Sequence, residues 1–135
     1  IYAGGHLSEE MGLYETVTGP ILRRSWSARG MVVDPGIHLY GWSREEAIAY
    51  QLESGRFSPS EAEARLDRIA VWPGQLTAYD TGGLVILALR AKAEEELGAS
   101  VDIRECHDRV LEVGTIPLDL LADHIEAWIE TRVPN

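Results

Sequence analysis

Two serine-led tetrapeptides, Ser43-Arg44-Glu45-Glu46 and Ser58-Pro59-Ser60-Glu61, constrain this chain more than any other feature. Each reads as a capping box, in which the serine hydroxyl accepts the amide of the third helical residue and that residue's glutamate reaches back to the serine N–H. Both therefore start helices. The second carries proline at the first helical position, where a missing N–H costs nothing. The first helix is expected to run to about Glu53 and to stop near Ser54-Gly55. The second continues through Ala62, Leu66, Ile69 and Ala70 at helical spacing, until Pro73-Gly74 breaks it.

The same punctuation extends along the rest of the chain. A long helix is expected from about Gln75 to Leu97, with Gly98 closing it and an apolar stripe on Leu84, Leu87, Ala88, Ala91 and Leu97. Gly82-Gly83 lies inside it, each glycine about 1 kcal/mol less favourable there than alanine. That implies close packing, a kink or backbone left bare for a ligand. Asp102 with Glu105 caps a further helix to about Glu112, closed by Gly114. Pro117 opens a last one through Trp128, with Leu118, Leu121, Ile125 and Trp128 on one face. Near the start, residues 1–12 read as helical and Gly19-Pro20 begins another helix. Asp34-Pro35-Gly36 is expected to end that helix, because the residue before proline is pushed out of the α region. Ile37 to Trp42 then forms a short connector. With no repeat, low-complexity tract or long linker, the pattern is all-α: one domain, an irregular bundle of six or seven helices.

Composition narrows function by exclusion. The chain has 135 residues and a formal net charge of −10, which repels phosphate backbones and anionic lipid. Arg23, Arg24 and Arg29 are too few to make a nucleic-acid footprint, so neither nucleic acid nor membrane is an expected partner. Cys106, the only cysteine, admits no internal disulfide and reads as a small core residue. No apolar run approaches the roughly 20 residues that span a bilayer. His6, Glu9 and Glu10 stand where a signal peptide would need an apolar stretch. The chain starts at Ile1 as if entering mid-helix and is expected to be a soluble piece of something longer, which leaves its compartment open.

No zinc-peptidase H-E-x-x-H, phosphate-binding loop, Cys-x-x-Cys or G-x-S-x-G occurs. His6, His38, His107 and His124 are scattered, no two at the i, i+4 spacing of a helical zinc site. Two segments stand out. Val32–Ser43 packs His38, Tyr40 and Trp42 beside two glycines, which reads blandly as a rigid turn with His38 bonded to a backbone carbonyl. Trp72–Gly82 puts Gln75 and Tyr79 at i, i+4 on a helix start, where exposed N–H groups favour anions. The bland reading there is a Gln–Tyr pair knitting one helix to its neighbour.

Three collinear stretches carry a resemblance: V-V-D-P-G-I-H-L-Y-G-W-S-R-E-E-A-I, W-P-G-Q-L-T-A-Y-D-T-G and I-R-E-C-H-D-R-V-L-E-V-G-T-I-P-L-D-L-L. In order and spacing they are similar to the C-terminal end of the bacterial "domain of unknown function 885" family, and the resemblance covers nearly the whole chain. That family looks like a branch of the zinc-dependent gluzincin metallopeptidases, all-helical and related in plan to the thermostable carboxypeptidase type. Its metal site is an H-E-x-x-G-H helix plus a glutamate from an E-G-W-A segment, and Ile1-Tyr2-Ala3 looks like the residues just after that segment. The resemblance thus implies that zinc and its ligands belong to the upstream part of a parent protein, with no metal ligand and no cofactor held by this chain.

On the substrate side it implies a Tyr or His that hydrogen-bonds the oxyanion. By motif position Tyr79 and His38 are the catalytic candidates, with Gln75 and Arg68 as substrate-orienting groups. His107 is expected to be structural, and Trp42, Trp72 and Trp128 to be core. Departures from the family pattern are Ser27 and Gly30 where arginines are common, Asp80 for a usual lysine, Pro35 for threonine, and Gly4 in place of glutamate after Tyr2-Ala3. The leading expectation is the C-terminal helical portion of a zinc metallopeptidase-like hydrolase acting on a peptide-like small substrate. It would dock on the N-terminal part of the same protein or on a second copy of itself. The alternative is a non-catalytic helical interaction module that binds a protein partner.

Overall fold

The computed structural model describes residues 1–133, apart from the side chain of Trp26. Among those residues every regular element is helical. A π-helical turn, Tyr2–Leu7, runs into α1 (Ser8–Glu10). There follow α2 (Thr18–His38), α3 (Arg44–Leu52), α4 (Pro59–Val71) and α5 (Gln75–Leu97). A 3₁₀ turn at Gly98–Ser100 precedes α6 (Ile103–Glu112) and α7 (Leu118–Arg132). Among the described residues no helix is long and apolar enough to cross a membrane. The chain forms two compact units, one of Ile1 and Ala3–Thr81, the other of Tyr2 and Gly82 onward.

Both capping boxes form in full. Ser43 and Ser58 accept the amides of Glu46 and Glu61, whose carboxylates take the serine N–H groups at 2.8 Å each. These bonds from the serine backbone, and then from its hydroxyl, hold both glutamates below the usual carboxylate range. α3 and α4 pack with α2 around Val33, Ala47, Leu66 and Ile69, and this is the core of the first unit.

The expected helix end at Asp34-Pro35-Gly36 does not occur. α2 continues through Pro35 to His38, so the connector begins only at Leu39. Proline gives up one helical N–H, but tertiary contacts hold its neighbours helical. Val33 is fully buried, and the Asp34 carboxylate takes the Gly74 N–H at 2.9 Å and the Thr77 hydroxyl at 3.3 Å. Past the helix end, Gly41 adopts φ +70 and turns the chain back, so that the Trp42 N–H reaches the Gly36 carbonyl at 2.9 Å. The Trp42 indole then lies on Gly36, where a methyl would stand 2.7 Å from its ring.

In the second unit, α5, α6 and α7 bury Leu89, Ala93, Leu97, Cys106, Leu121, Ile125, Trp128 and Ile129. The buried face of α5 shares Leu97 with the expected stripe but otherwise differs: Leu84, Ala88 and Ala91 are exposed, while Leu89 and Ala93 are buried. From Leu84 to Leu89 the sequence is apolar all round, so periodicity alone cannot choose a face and the packing partners do. α5 runs unbroken through Gly82-Gly83, with Gly83 buried. Asp102 caps α6 through the Arg104 amide, but Glu105 does not complete the cap, because Arg132 and the Trp128 indole N–H claim its carboxylate. Cys106 is buried, and that burial pushes its thiol pKa up. Trp128 is core as expected and Trp42 packs on the first unit's core, but Trp72 is 56% exposed, with the Arg68 guanidinium over its ring.

Two outcomes follow from these contacts. Glu46 and Glu61 sit below their ordinary value of 4.5, so the stability from their caps is complete above that value and is lost as pH falls through the lower folded-state values. Replacing both by glutamine keeps the cap geometry but removes that proton linkage, and an acid titration followed by circular dichroism should show a shallower loss of helix. Gly36→Ala should lower the thermal midpoint. Alanine gains about 1 kcal/mol of helix propensity, but overpacking against a rigid ring costs about 1–3 kcal/mol. A raised midpoint would mean that the indole moves aside freely.

Candidate functional site

In the first unit α2, α4 and the first turns of α5 meet at Gly30, which is buried. A methyl there would stand 2.8 Å from Leu76 Cδ1 and 3.0 Å from Arg65 Nη2. Bare backbone is what lets both side chains come so close. Beside this crossing, Ile1, Ser27, Arg65, Leu76 and Tyr79 enclose a pocket of about 230 Å³.

Arg65 is the charged side chain of this lining. Arg65 is partly buried, with its guanidinium 5.3 Å from the Phe57 ring centroid. Burial first, and then the charges of Arg56 and Arg68, lower its pKa. Arginine stays protonated in proteins at any working pH, so the shift reflects burial of a charged side chain rather than a neutral one. Two hydroxyls, Ser27 and Tyr79, share the lining with the guanidinium, and Leu76 and Ile1 supply apolar wall.

The four residues singled out from sequence fall into three settings. Tyr79 is 46% exposed and lines the pocket. Arg68 donates from Nε to Gln75 Oε1 at 3.1 Å, so these two are brought together. His38 bonds through Nε2 to the Ile69 carbonyl at 3.0 Å, with Asp34 Oδ1 at 3.8 Å. A carbonyl only accepts, so Nε2 carries the hydrogen, and Nδ1 is the acceptor in that tautomer. At the head of α5 the Gly74 N–H already donates to Asp34.

Three residues of this region carry no sequence-level signal of their own. Arg65 lies in a run of alternating charge and alanine that reads as a solvated face, and Asp34 reads as a helix terminator. Ser27 stands out only as a departure from the family pattern. Gly30 is the one local hint, since a glycine in mid-helix needs a packing reason.

The second unit has a groove of about 450 Å³ whose lining includes Glu105, Arg109, His124, Trp128 and Arg132. Its charges are paired with one another: Arg132 and Trp128 on Glu105, Arg109 and His124 on Glu112. In the same unit the Tyr2 hydroxyl lies 2.8 Å from His107 Nε2 and accepts from Arg90 at 3.3 Å. Among the described residues no group of three or more His, Cys, Asp or Glu could hold a metal ion.

Comparison with known proteins adds family and scale. The family model described as "Bacterial protein of unknown function (DUF885)" matches residues 1–125. No curated protein matches the chain. A crystal structure of a protein described as "the putative lipoprotein from Colwellia psychrerythraea" is similar at 35% identity with a TM-score of 0.86. The likeness covers 93% of this chain but only 22% of that one.

Asp34 can be tested directly as the tie between α2 and the head of α5. Asp34→Ala leaves the Gly74 N–H and the Thr77 hydroxyl without their acceptor, and bonds to an ionised partner are worth about 1.5–3 kcal/mol. Urea unfolding should show a loss of that order, with Asp34→Asn losing less. An unchanged midpoint would show that the tie carries no stability.

Proposed function

This chain belongs to the DUF885 family of bacterial proteins, and from that premise we propose that it is the C-terminal helical part of a zinc-metallopeptidase-like hydrolase. Its share of the work is to shape the substrate side of the cleft and to stabilise the oxyanion through Tyr79. The observation that supports this most is the company Tyr79 keeps: a phenol beside a guanidinium and a second hydroxyl in one small pocket. Such fixed donors stabilise negative charge as it develops on a carbonyl oxygen, and they do so without reorganising.

The residues present do not fit the metal. No described group of ligating side chains suits it, so its ligands would belong to other parts of the parent, and no step through it is assigned to this chain. What remains for these residues is binding and orientation. Tyr79 donates its hydroxyl hydrogen to the oxyanion. Gln75, already bonded to Arg68, keeps its amide N–H₂ for a substrate carbonyl. His38 is held by Ile69, and its Nδ1 is the atom that can accept a hydrogen bond from substrate or water. The substrate class is peptide-like and small.

A second reading, a non-catalytic helical module that binds a protein partner, is favoured by one observation. Met11, Leu13, Val17 and Ile21 are between 57% and 81% exposed on the first unit. An exposed apolar group of that kind marks a surface that other polypeptide covers. In the leading reading that polypeptide is the rest of the parent protein or a second copy of the chain. In the alternative it is a separate partner.

In the full-length parent, Tyr79→Phe should lower kcat by roughly 10- to 1000-fold, the scale of one oxyanion donor, while this chain alone hydrolyses no peptide. A variant that keeps the wild-type rate would remove Tyr79 from the mechanism. An inactive parent whose partner protein binds this chain would favour the module instead.

A further inference from the structure

We infer that the recess along α3, between Trp42 and Glu53, is a site for a primary ammonium group carried on a short aliphatic stem. Trp42 and Tyr50 wall the stem, and Glu46 and Glu53 take the ammonium hydrogens. The recess lies in the first unit and shares no lining residue with the Tyr79 pocket. The inference therefore goes beyond the catalytic reading and does not depend on it.

Placement comes first. Trp42, Glu46, Ala49, Tyr50 and Glu53 enclose about 400 Å³. From Glu46 onward these residues recur at three- and four-residue spacing, so they form one row along α3 and its C-cap. Ala49, the small side chain of the row, leaves depth between its larger neighbours. Trp42 precedes the helix, and the turn at Gly41 sets its indole against Gly36. The Trp42 and Tyr50 rings meet edge to face, with centroids 5.5 Å apart and planes at 61°. They make a corner that is in place before a ligand arrives, which lowers the cost of binding.

Charge comes second. Two carboxylates line the recess and no basic side chain does. Ser43 holds Glu46 below the usual carboxylate range, and its N–H and hydroxyl both donate to Oε2, which leaves Oε1 for a ligand. Glu53 is the C-cap of α3, and the partial negative charge at a helix C-terminus adds to its own. Arg44, on the same helix, is paired with Asp67. Arg29 lies over the Tyr50 ring, 4.6 Å from its centroid, and donates to the Tyr50 carbonyl. That contact shows the ring accepting a cation. The one charge of Arg29 opposes a ligand less than the two carboxylates attract it.

The lining then chooses among cations. A divalent metal such as calcium needs several oxygen ligands in one shell, and among the described residues no group of three or more suitable side chains could hold one. Aromatic faces attract organic cations, whereas carboxylates take N–H donors, so an ammonium that bears hydrogens satisfies both walls. A quaternary ammonium satisfies only the rings. An aliphatic stem gains further from the apolar surface it covers. The net charge of −10 draws such cations towards the chain.

The test is a titration of this chain, labelled with nitrogen-15, by butylammonium, by N-acetyl-lysinamide, by tetramethylammonium and by uncharged butanol. Butylammonium should shift the Trp42 indole N–H and the amides of Ala49, Tyr50 and Glu53, and butanol should bind at least about threefold more weakly. Glu53 is exposed, so Glu53→Gln keeps the fold. It should weaken butylammonium by about two- to fivefold, the scale of an exposed ion pair, and leave butanol unchanged. Trp42→Leu should weaken it by a similar factor, the scale of one exposed cation–π contact, and if that variant fails to fold, Glu53→Gln decides alone. Tighter binding of N-acetyl-lysinamide than of butylammonium assigns the site to a lysine of another polypeptide, and the reverse assigns it to a free amine. Butanol or tetramethylammonium binding as tightly as butylammonium, an unchanged affinity in Glu53→Gln, or shifts confined to other residues would each overturn the inference.

Discussion

A carboxylate buried at 2% exposure is a costly thing for a small helical unit to carry, and Asp34 is such a group. It is tolerated because it is satisfied: the Gly74 amide and the Thr77 hydroxyl donate to it, and His38 stands 3.8 Å away. Those contacts tie the last turns of α2 to the head of α5 and bring His38 onto α4 at Ile69. They also explain why Pro35 does not end the helix. The local preference of a residue before proline is weaker than a buried ionic hydrogen bond that needs Asp34 in its helical place. Once α2 is fixed in this way, Gly30 and Gly36 are the points at which other side chains close against it.

The elements most legible in the sequence were those whose cause is local. Both capping boxes, the breaks at Pro73-Gly74 and Gly114, and the all-helical class rest on bonds between residues a few positions apart. Legibility failed where a distant partner decides. Glu105 resembles the second half of a cap, yet Arg132 and Trp128 take it from another helix. The middle of α5, from Leu84 to Leu89, is apolar on every side, so its buried face was fixed by Ile125, Trp128 and their neighbours rather than by its own period. Trp72 reads as core because tryptophan usually is, but a stacked Arg68 lets it stand at the surface.

The candidate site follows the same rule. Tyr79, Gln75, Arg68 and His38 could be singled out because they sit in segments of unusual composition. The structure joins Arg68 to Gln75 and puts Tyr79 in a pocket. Arg65, the charged side chain of the pocket lining, was hidden in a run that looks like a solvated helix face. Its significance comes from Gly30, 35 positions away in sequence, and from Phe57, Arg56 and Arg68.

Tyr79 and Arg65 line one pocket with Ser27, Leu76 and Ile1, although the Pro73-Gly74 break separates the helices that carry them. Asp34 accounts for much of that meeting. By taking the Gly74 N–H and the Thr77 hydroxyl it fixes the first turn of α5, and Tyr79 stands two residues beyond Thr77. The position of the phenol is then set by a buried carboxylate on α2 rather than by α5 itself, so the lining of the pocket depends on a contact that none of its own residues makes.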